Sequence, residues 1–283
     1  MRVLITGISG YLGSQLANAL NTEHELVGTI RSGSRLDRVK NADKINFIYI
    51  DEENWSEKIK SFQPEIVINT MALYGRKDEH LSDLINANVF LPIKILESIE
   101  TKTTFINCGT SLPASVSSYA HTKNQFVELA KEYCKQAHIK FVNLRLEHFF
   151  GAGDDLTKFT SYVIQQCLVS QPLKLTAGTQ ERDFIYIEDL ISAFKCIIHS
   201  LDKLEFFENI DVGSGKAIKI RDFVESTASI IESKSEIIFG AVPMRDNELM
   251  HSCADVRRLH ALGWKLNYSL HDAILEMIKR DKQ

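Results

Sequence analysis

Short apolar runs recur along the first two thirds of the chain, and between them apolar positions return every three or four residues. The runs are RVLITG (2–7), ELVGTI (25–30), NFIYI (46–50), EIVINT (65–70), TTFINC (103–108) and KFVNLRL (140–146). Several are apolar at consecutive positions, so both faces need cover, as in a parallel sheet with helices on either side. The intervening stretches, clearest at 79–99 and 118–137, have the period of amphipathic helices. Strand and helix in alternation predict βαβ crossovers and a doubly wound, parallel α/β sheet.

The rhythm changes near Gly151. GAGDD reads as a loop, 158–170 as a helix, DFIYI (183–187) as one more strand and 188–199 as the helix after it. Smaller elements follow, among them SEIIFG (235–240) and a final helix near 269–280. The expected division is a nucleotide-binding domain of residues 1–148 plus about 182–205. A smaller, discontinuous domain of about 149–181 plus 206–283 would then sit over the carboxyl ends of the strands, where ligands of open α/β sheets bind.

The stretch TGISGYLGSQL places Gly7, Gly10 and Gly13 between the first strand and the helix that follows it. Glycines there permit a tight turn and close approach of backbone to a pyrophosphate, which the helix N-terminus then receives. The flanking strand and helix make this G-x-x-G-x-x-G a dinucleotide signal of the Rossmann type rather than a chance spacing. At the end of the second strand an acidic side chain would mark a free ribose 2′-hydroxyl. TIRSGSR instead offers Arg31, Ser32 and Arg35, which suit a 2′-phosphate, so the expected cofactor is NADPH/NADP+.

In SSYAHTKNQFVELA (117–130), Phe126, Val127, Ala130 and Cys134 continue into a buried stripe. Stepping back along that stripe lands on Lys123 and then Tyr119, one helical turn apart. An ammonium near the phenol is expected to lower the tyrosine pKa and ready it for proton exchange with a substrate oxygen. Thr110 and Ser111, at the preceding strand end, could orient that oxygen. Asn88 sits on the apolar face of the 79–99 helix. It either bonds a carbonyl freed near Pro92 or holds a water leading to Lys123.

Composition changes this picture little and excludes several classes. The chain of 283 residues is 44% apolar and 25% charged with a formal net charge of −4, and no basic cluster points to nucleic acid or a membrane surface. No apolar run approaches the roughly 18 residues of a membrane span. The first strand begins at Arg2 where a leader would lie, so a cytoplasmic protein is expected. Five scattered cysteines without C-x-x-C and nine histidines without H-x-x-x-H predict reduced thiols and no metal.

With these motifs in place, the chain resembles the extended short-chain dehydrogenase/reductases, the family of nucleotide-sugar epimerases, dehydratases and reductases. The matching features are the glycine loop, NTMA (69–72), Y-x-x-x-K (119–123), RDFIYIEDL (182–190) and ADVRRLHALGW (254–264). FINCGTSLP, RLEHFFGAGDD, ERDFIYI and RDNELMHSCAD look more narrowly like the subgroup that makes CDP-paratose and CDP-abequose, nearer the paratose branch. The resemblance implies reduction of a CDP-4-keto-3,6-dideoxyhexose for O-antigen synthesis, with Tyr119 as proton donor and Lys123 on the nicotinamide ribose. It implies Thr110 at the C4 oxygen. It adds cofactor contacts from Ser9, Tyr11, Leu12, Asp51 (at adenine), Ala72 and Asn88. Substrate contacts would come from Ser111, His148, Lys158, Phe159, Arg182 and Arg245, the arginines holding the diphosphate or else forming ion pairs beside Asp183 and Asp246. A homodimer through the helices at 79–99 and 118–137 is the family expectation.

Three rival readings follow from the same residues. A 4-epimerase would recycle tightly held NAD, against the basic end of the second strand. A dehydratase would want an acidic pair after the threonine, where Ser111 and Leu112 stand. A non-catalytic redox sensor could dispense with Tyr119 and Lys123.

Overall fold

The strands that are apolar on both faces lie side by side in the computed structural model, which describes residues 1–100 and 102–281. Strands β1 (Arg2–Thr6), β2 (Glu25–Ile30), β3 (Asn46–Tyr49), β4 (Ile66–Asn69), β5 (Thr104–Thr110) and β6 (Lys140–Leu146) come first. They are interspersed with helices α1 (Tyr11–Leu20), α2 (Trp55–Phe62), α3 (Leu81–Ile85), α4 (Leu91–Leu96) and α5 (Ser118–Ala137). The chain continues through β7 (His148–Phe150), α6 (Phe159–Leu168), β8 (Leu173–Leu175), β9 (Glu181–Tyr186), α7 (Ile187–Ile198) and β10 (Phe207–Val212). It ends with β11 (Ala217–Lys219), α8 (Ile220–Ile231), β12 (Ile237–Phe239), α9 (Arg257–Ala261) and α10 (Leu270–Asp281).

Two compact units result, Met1–Arg145 with Ser200–Ile210 and Leu146–His199 with Asp211–Gln283. Residues 182–199 therefore group with the second unit, not with the first as the sequence reading had them. The reason is pairing: β9 bonds to β7 and β11 in a separate three-stranded sheet.

The first unit carries a seven-stranded sheet in the order β10-β6-β5-β4-β1-β2-β3. The β1–β2, β2–β3, β1–β4 and β4–β5 pairs are parallel. From β1 the chain steps first to one side and then, at β4, to the other, so the carboxyl ends of β1 and β4 form the switch point where such sheets bind ligands. Phe105, Phe126 and Phe141 pack with ring centroids 5.6 to 6.1 Å apart in the core between sheet and α5.

A row of side-chain hydrogen bonds crosses this sheet, buried from Thr6 to Asn143 and ending at the exposed Asn209. Thr6 Oγ1 donates to Asn69 Oδ1 (2.7 Å), and Asn69 Nδ2 donates to Asn107 Oδ1 (2.9 Å). Asn107 Nδ2 then donates to Asn143 Oδ1 (2.9 Å), and Asn143 Nδ2 to Asn209 Oδ1 (2.8 Å). The register sets Thr6 beside Asn69 and Asn69 beside Asn107, so β1, β4, β5, β6 and β10 each contribute one member. Every donor points the same way along the row, an arrangement in which hydrogen bonds polarise one another.

The 79–99 stretch is not one regular helix. Residues Asn86–Phe90 form a π turn between α3 and α4. Pro92 has no N–H for the carbonyl of Asn88, and π turns absorb such a break in the ladder. In the second unit, Phe184 stacks on Phe223 at 4.4 Å, with Phe150 against both Tyr186 and Phe223. Among the described residues no helix is long and apolar enough to cross a membrane, and no cluster of three or more acidic, histidine or cysteine side chains could hold a metal. All five cysteines are free.

Candidate active site

The turn after β1 leaves no room for side chains. Gly7 has φ of +68°, and a Cβ on Gly13 would stand 2.4 Å from the Gly7 carbonyl oxygen and 2.9 Å from Thr70 Oγ1. Gly7 N–H donates to Thr29 Oγ1 (3.1 Å) and Thr70 Oγ1 donates to Thr6 O (2.6 Å), tying the turn to β2 and to the end of β4. Gly10 is the N-cap of α1, with no side chain bonded over the helix end and no acidic residue in the first turn. The N–H groups of that turn are thus available to an anion, and the cradle fits a dinucleotide pyrophosphate. Ser9 and Tyr11 flank Gly10 and are partly exposed, whereas Leu12 is buried.

The end of β2 departs from the sequence reading. Arg31, Ser32 and Arg35 are exposed, but a carboxylate is present after all: Ser32 N–H donates to both oxygens of Asp51, at 3.1 and 2.9 Å. Parallel pairing of β2 with β3 brings Tyr49 opposite Ile30, so the residues just past the two strands meet. Hydrogen bonds from the Ser32 side chain and then its backbone, with a smaller pull from Arg31, hold the Asp51 carboxyl below its ordinary range. Arg35 is engaged by Asp37 at 2.6 Å.

Ser117 begins α5 by accepting the Ala120 N–H on its Oγ (3.1 Å), which sets Tyr119 in the first turn and Lys123 one turn on. Lys123 is 1% exposed, and its Nζ donates to Met71 O at 3.3 Å. Burial depresses its pKa to about 8, with Cys108 opposing. The same burial pushes the Cys108 thiol up to about 12. The tyrosine behaves differently from expectation. Burial raises the Tyr119 phenol well above its ordinary value, Tyr74 and Cys108 add to this, and Arg76 and a hydrogen bond with Thr110 oppose it. In the ligand-free chain the phenol is therefore held protonated.

Thr110 closes β5, with its Oγ1 accepting the Leu112 N–H at 3.2 Å and Ser111 partly buried beside it. A Cβ on the preceding Gly109 would lie 2.4 Å from Asn143 Oδ1, so the amide row requires glycine there and sets the height of Thr110. Asn88 does not bond a carbonyl near Pro92. Its Nδ2 donates to Leu73 O (2.9 Å) and Thr122 Oγ1 (3.0 Å), and its Oδ1 accepts the Leu73 N–H (2.8 Å). The amide clasps the segment after β4 to α5, and this segment carries Ala72 and the Met71 carbonyl that receives Lys123.

The remaining candidates belong to the second unit. His148 lies on β7 opposite Phe184 of β9, with its Nδ1 3.6 Å from Glu147 Oε2. Arg182 is buried, and neither Asp183 nor Asp246 is its partner. It pairs with Glu248 at 2.6 Å and donates to Glu181 O at 2.8 Å. Lys158 pairs with Asp154 (2.9 Å) over the Phe149 ring, Phe159 packs on Phe223, and Arg245 is exposed. Asp183, next to Arg182, is a buried structural acceptor for Ser214, Gly215 and Ala254 N–H groups.

Residues that sequence reasoning passed over include Tyr74, Arg76, Cys108 and the amide row. The row had a visible signal, since EIVINT, TTFINC, KFVNLRL and FENIDV each carry one asparagine. Tyr74 and Arg76 could have been found as an aromatic and a cation directly after the β4 end.

The NAD dependent epimerase/dehydratase family model matches residues 3–213. CDP-abequose synthase of Salmonella typhimurium is 31% identical over 300 residues, covering 98% of this chain and 97% of that protein. The CDP-abequose synthase of Salmonella muenchen is 30% identical over 288 residues, with the same coverage. Among solved structures, UDP-glucuronic acid 4-epimerase from Bacillus cereus, in complex with UDP-glucuronic acid and NAD, superposes with a TM-score of 0.86 at 23% identity, over 100% of this chain and 99% of that one. UDP-glucose 4-epimerase of Thermus thermophilus, complexed with NAD, gives 0.84 at 20%, with the same coverage. On the extent of the family match and the identity to full-length relatives, the chain belongs to the NAD dependent epimerase/dehydratase family.

Proposed function

We propose that the protein is an NADPH-dependent 4-ketoreductase of a nucleotide-linked deoxyhexose, acting on a CDP-4-keto-3,6-dideoxyhexose in O-antigen biosynthesis. The observation that carries this reading is the protonated phenol of Tyr119 beside Thr110, in a chain 31% identical over nearly its whole length to a CDP-abequose synthase. Gly7, Gly10 and Gly13 with the α1 N-terminus hold the pyrophosphate, Lys123 the nicotinamide ribose, and Arg31, Ser32 and Arg35 the 2′-phosphate. When bound, the reduced dinucleotide supplies the hydride for the C4 carbonyl carbon.

Tyr119 gives its Oη proton to the C4 oxygen as negative charge develops there. Thr110, whose hydroxyl bonds the Tyr119 phenol in the ligand-free chain while its Oγ1 accepts from Leu112, turns its hydroxyl hydrogen to the same oxygen as charge develops there. Arg182 and Arg245 take the diphosphate, Arg182 exchanging Glu248 for the substrate phosphate. Ser111, His148, Lys158 and Phe159 line the sugar and nucleotide. The first unit is the dinucleotide domain and the second the nucleotide-sugar domain.

The name shared by the relatives supports the abequose configuration at C4, whereas the motif resemblance favours paratose. Offering the CDP-4-keto-3,6-dideoxy sugar with NADPH and identifying the product by NMR tests the activity and assigns the configuration together. Failure to consume NADPH stoichiometrically would overturn the reductase reading. A second reading, a 4-epimerase with tightly held NAD, is favoured by Asp51 against Ser32, since a carboxylate there suits a ribose hydroxyl. Isomerisation without net cofactor consumption, and a lower KM for NADH than NADPH, would establish it. The exposed Leu81, Ile85, Phe90 and Leu129, on and between α3, α4 and α5, support a homodimer through these helices. Light scattering gives its mass. A cytoplasmic location is part of the same proposal.

A further inference from the structure

The segment after β4 follows the catalytic face of α5 closely. Met71 O takes the Lys123 ammonium, and the Leu73 backbone is clasped at both its N–H and its carbonyl by Asn88. The next residue, Tyr74, lays its ring on that of Tyr119, with centroids 4.9 Å apart and planes inclined by 32°. Gly75 then reverses the chain at φ of +69°, with Leu84 packed 3.2 Å from where a Cβ would stand. The reversal returns Arg76, whose guanidinium carbon lies 4.8 Å from the centre of the Tyr74 ring. Guanidinium, ring and phenol ring thus follow one another in successive contacts, with the chain behind them pinned at two points.

We propose that Tyr74 and Arg76 are positioning residues for Tyr119: the Tyr74 ring sets the plane of the phenol, and Arg76, held on that ring, keeps a fixed positive charge beside it. This rests on the reading of Tyr119 as proton donor. A ring tilted against the phenol at this distance restricts its rotation about the side-chain bonds and keeps Oη toward Thr110. A guanidinium over a tyrosine ring is attracted by the ring. Its field favours the negative oxygen that proton donation leaves behind. The groups facing the phenol are Tyr74 and Arg76 from this segment, Cys108 and Thr110 from β5, and Lys123 on α5 itself. Of these, Arg76 is the cation that opposes the upward push of burial on Tyr119.

The arrangement also separates two duties. Lys123 is committed to Met71 O and to the ribose, while Arg76, outside the buried stripe, supplies the charge that the phenolate needs.

The test places a fluorinated tyrosine of lower intrinsic pKa at position 119 and follows its ionisation by fluorine NMR. This readout needs neither substrate nor turnover. Arg76→Met should raise the ionisation by roughly half to one pH unit, as expected for a charge within about 10 Å at an effective dielectric between protein surface and water. Arg76→Lys should restore most of it, and Tyr74→Leu should reproduce the loss by releasing Arg76. In the unlabelled enzyme, Arg76→Met should move the alkaline limb of kcat upward and lower kcat several-fold, with little change in KM for the sugar. An unchanged fluorine titration in Arg76→Met overturns the proposal. So does a defect confined to KM for the sugar, which would make Arg76 a substrate ligand. If no reduction is found in any variant but the titration shifts, the electrostatic role stands and the ketoreductase reading falls.

Discussion

Replacing Lys123 by methionine should make the ligand-free protein more stable while abolishing its function. The lysine is 1% exposed, and burial lowers its pKa from 10.5 to about 8. Holding it charged at neutral pH therefore costs the folded chain about 3 kcal/mol. Methionine fills a similar volume without the charge, and the loss of the bond to Met71 O returns about 1 kcal/mol of that gain. The expected net change is about 2 kcal/mol in favour of Lys123→Met at pH 7.

The pH dependence carries the argument. Between about 8 and 10.5 the unfolded wild-type chain holds a proton that the folded chain has released, so wild-type stability rises with pH across that window. The variant has no such group, so its advantage should shrink steadily there, vanish before 10.5 and reverse by about 1 kcal/mol above it, where only the lost bond to Met71 O remains. Urea unfolding of both proteins from pH 7 upward measures this directly. Saturating NADPH should reverse the order at pH 7, since only the wild type gains binding energy through Lys123. A less stable variant at pH 7, or a gain that does not change with pH, would refute the reasoning.

Other changes test the remaining parts of the site. Asn107→Ala leaves Asn69 Nδ2 and Asn143 Oδ1 without partners and should cost about 2–5 kcal/mol in urea unfolding; a cost below about 1 would mean the amide row is replaceable by water. Tyr119→Phe should lower kcat by about a thousandfold with the dinucleotide Kd, measured by fluorescence, within about twofold of wild type; retained turnover would remove Tyr119 from the mechanism. Arg182→Ala should raise KM for the nucleotide sugar by about tenfold or more, and an unchanged KM would assign Arg182 to structure alone. The same variant strands Glu248, so a fall in stability of about 3 kcal/mol should accompany it.

Local chemistry made much of this legible beforehand. Consecutive apolar positions can only be buried between helices, so the strands and their parallel, doubly wound class were readable without coordinates. The glycine loop and the Tyr119–Lys123 pair were readable for the same reason, since a turn and a helical i, i+4 spacing depend on neighbours in sequence. Tertiary structure decided what those groups meet. The amide row needs the register of strands far apart in the chain. Asp51 reaches Ser32 because two strand ends adjoin, and Arg182 reaches Glu248 across 66 residues. The protonation of Tyr119 turned on burial, with Tyr74 and Cys108 adding to it and Arg76 opposing. A sequence specifies which groups are available, but the energy of a buried charge or amide depends on partners and solvent exclusion that exist only once the chain has folded.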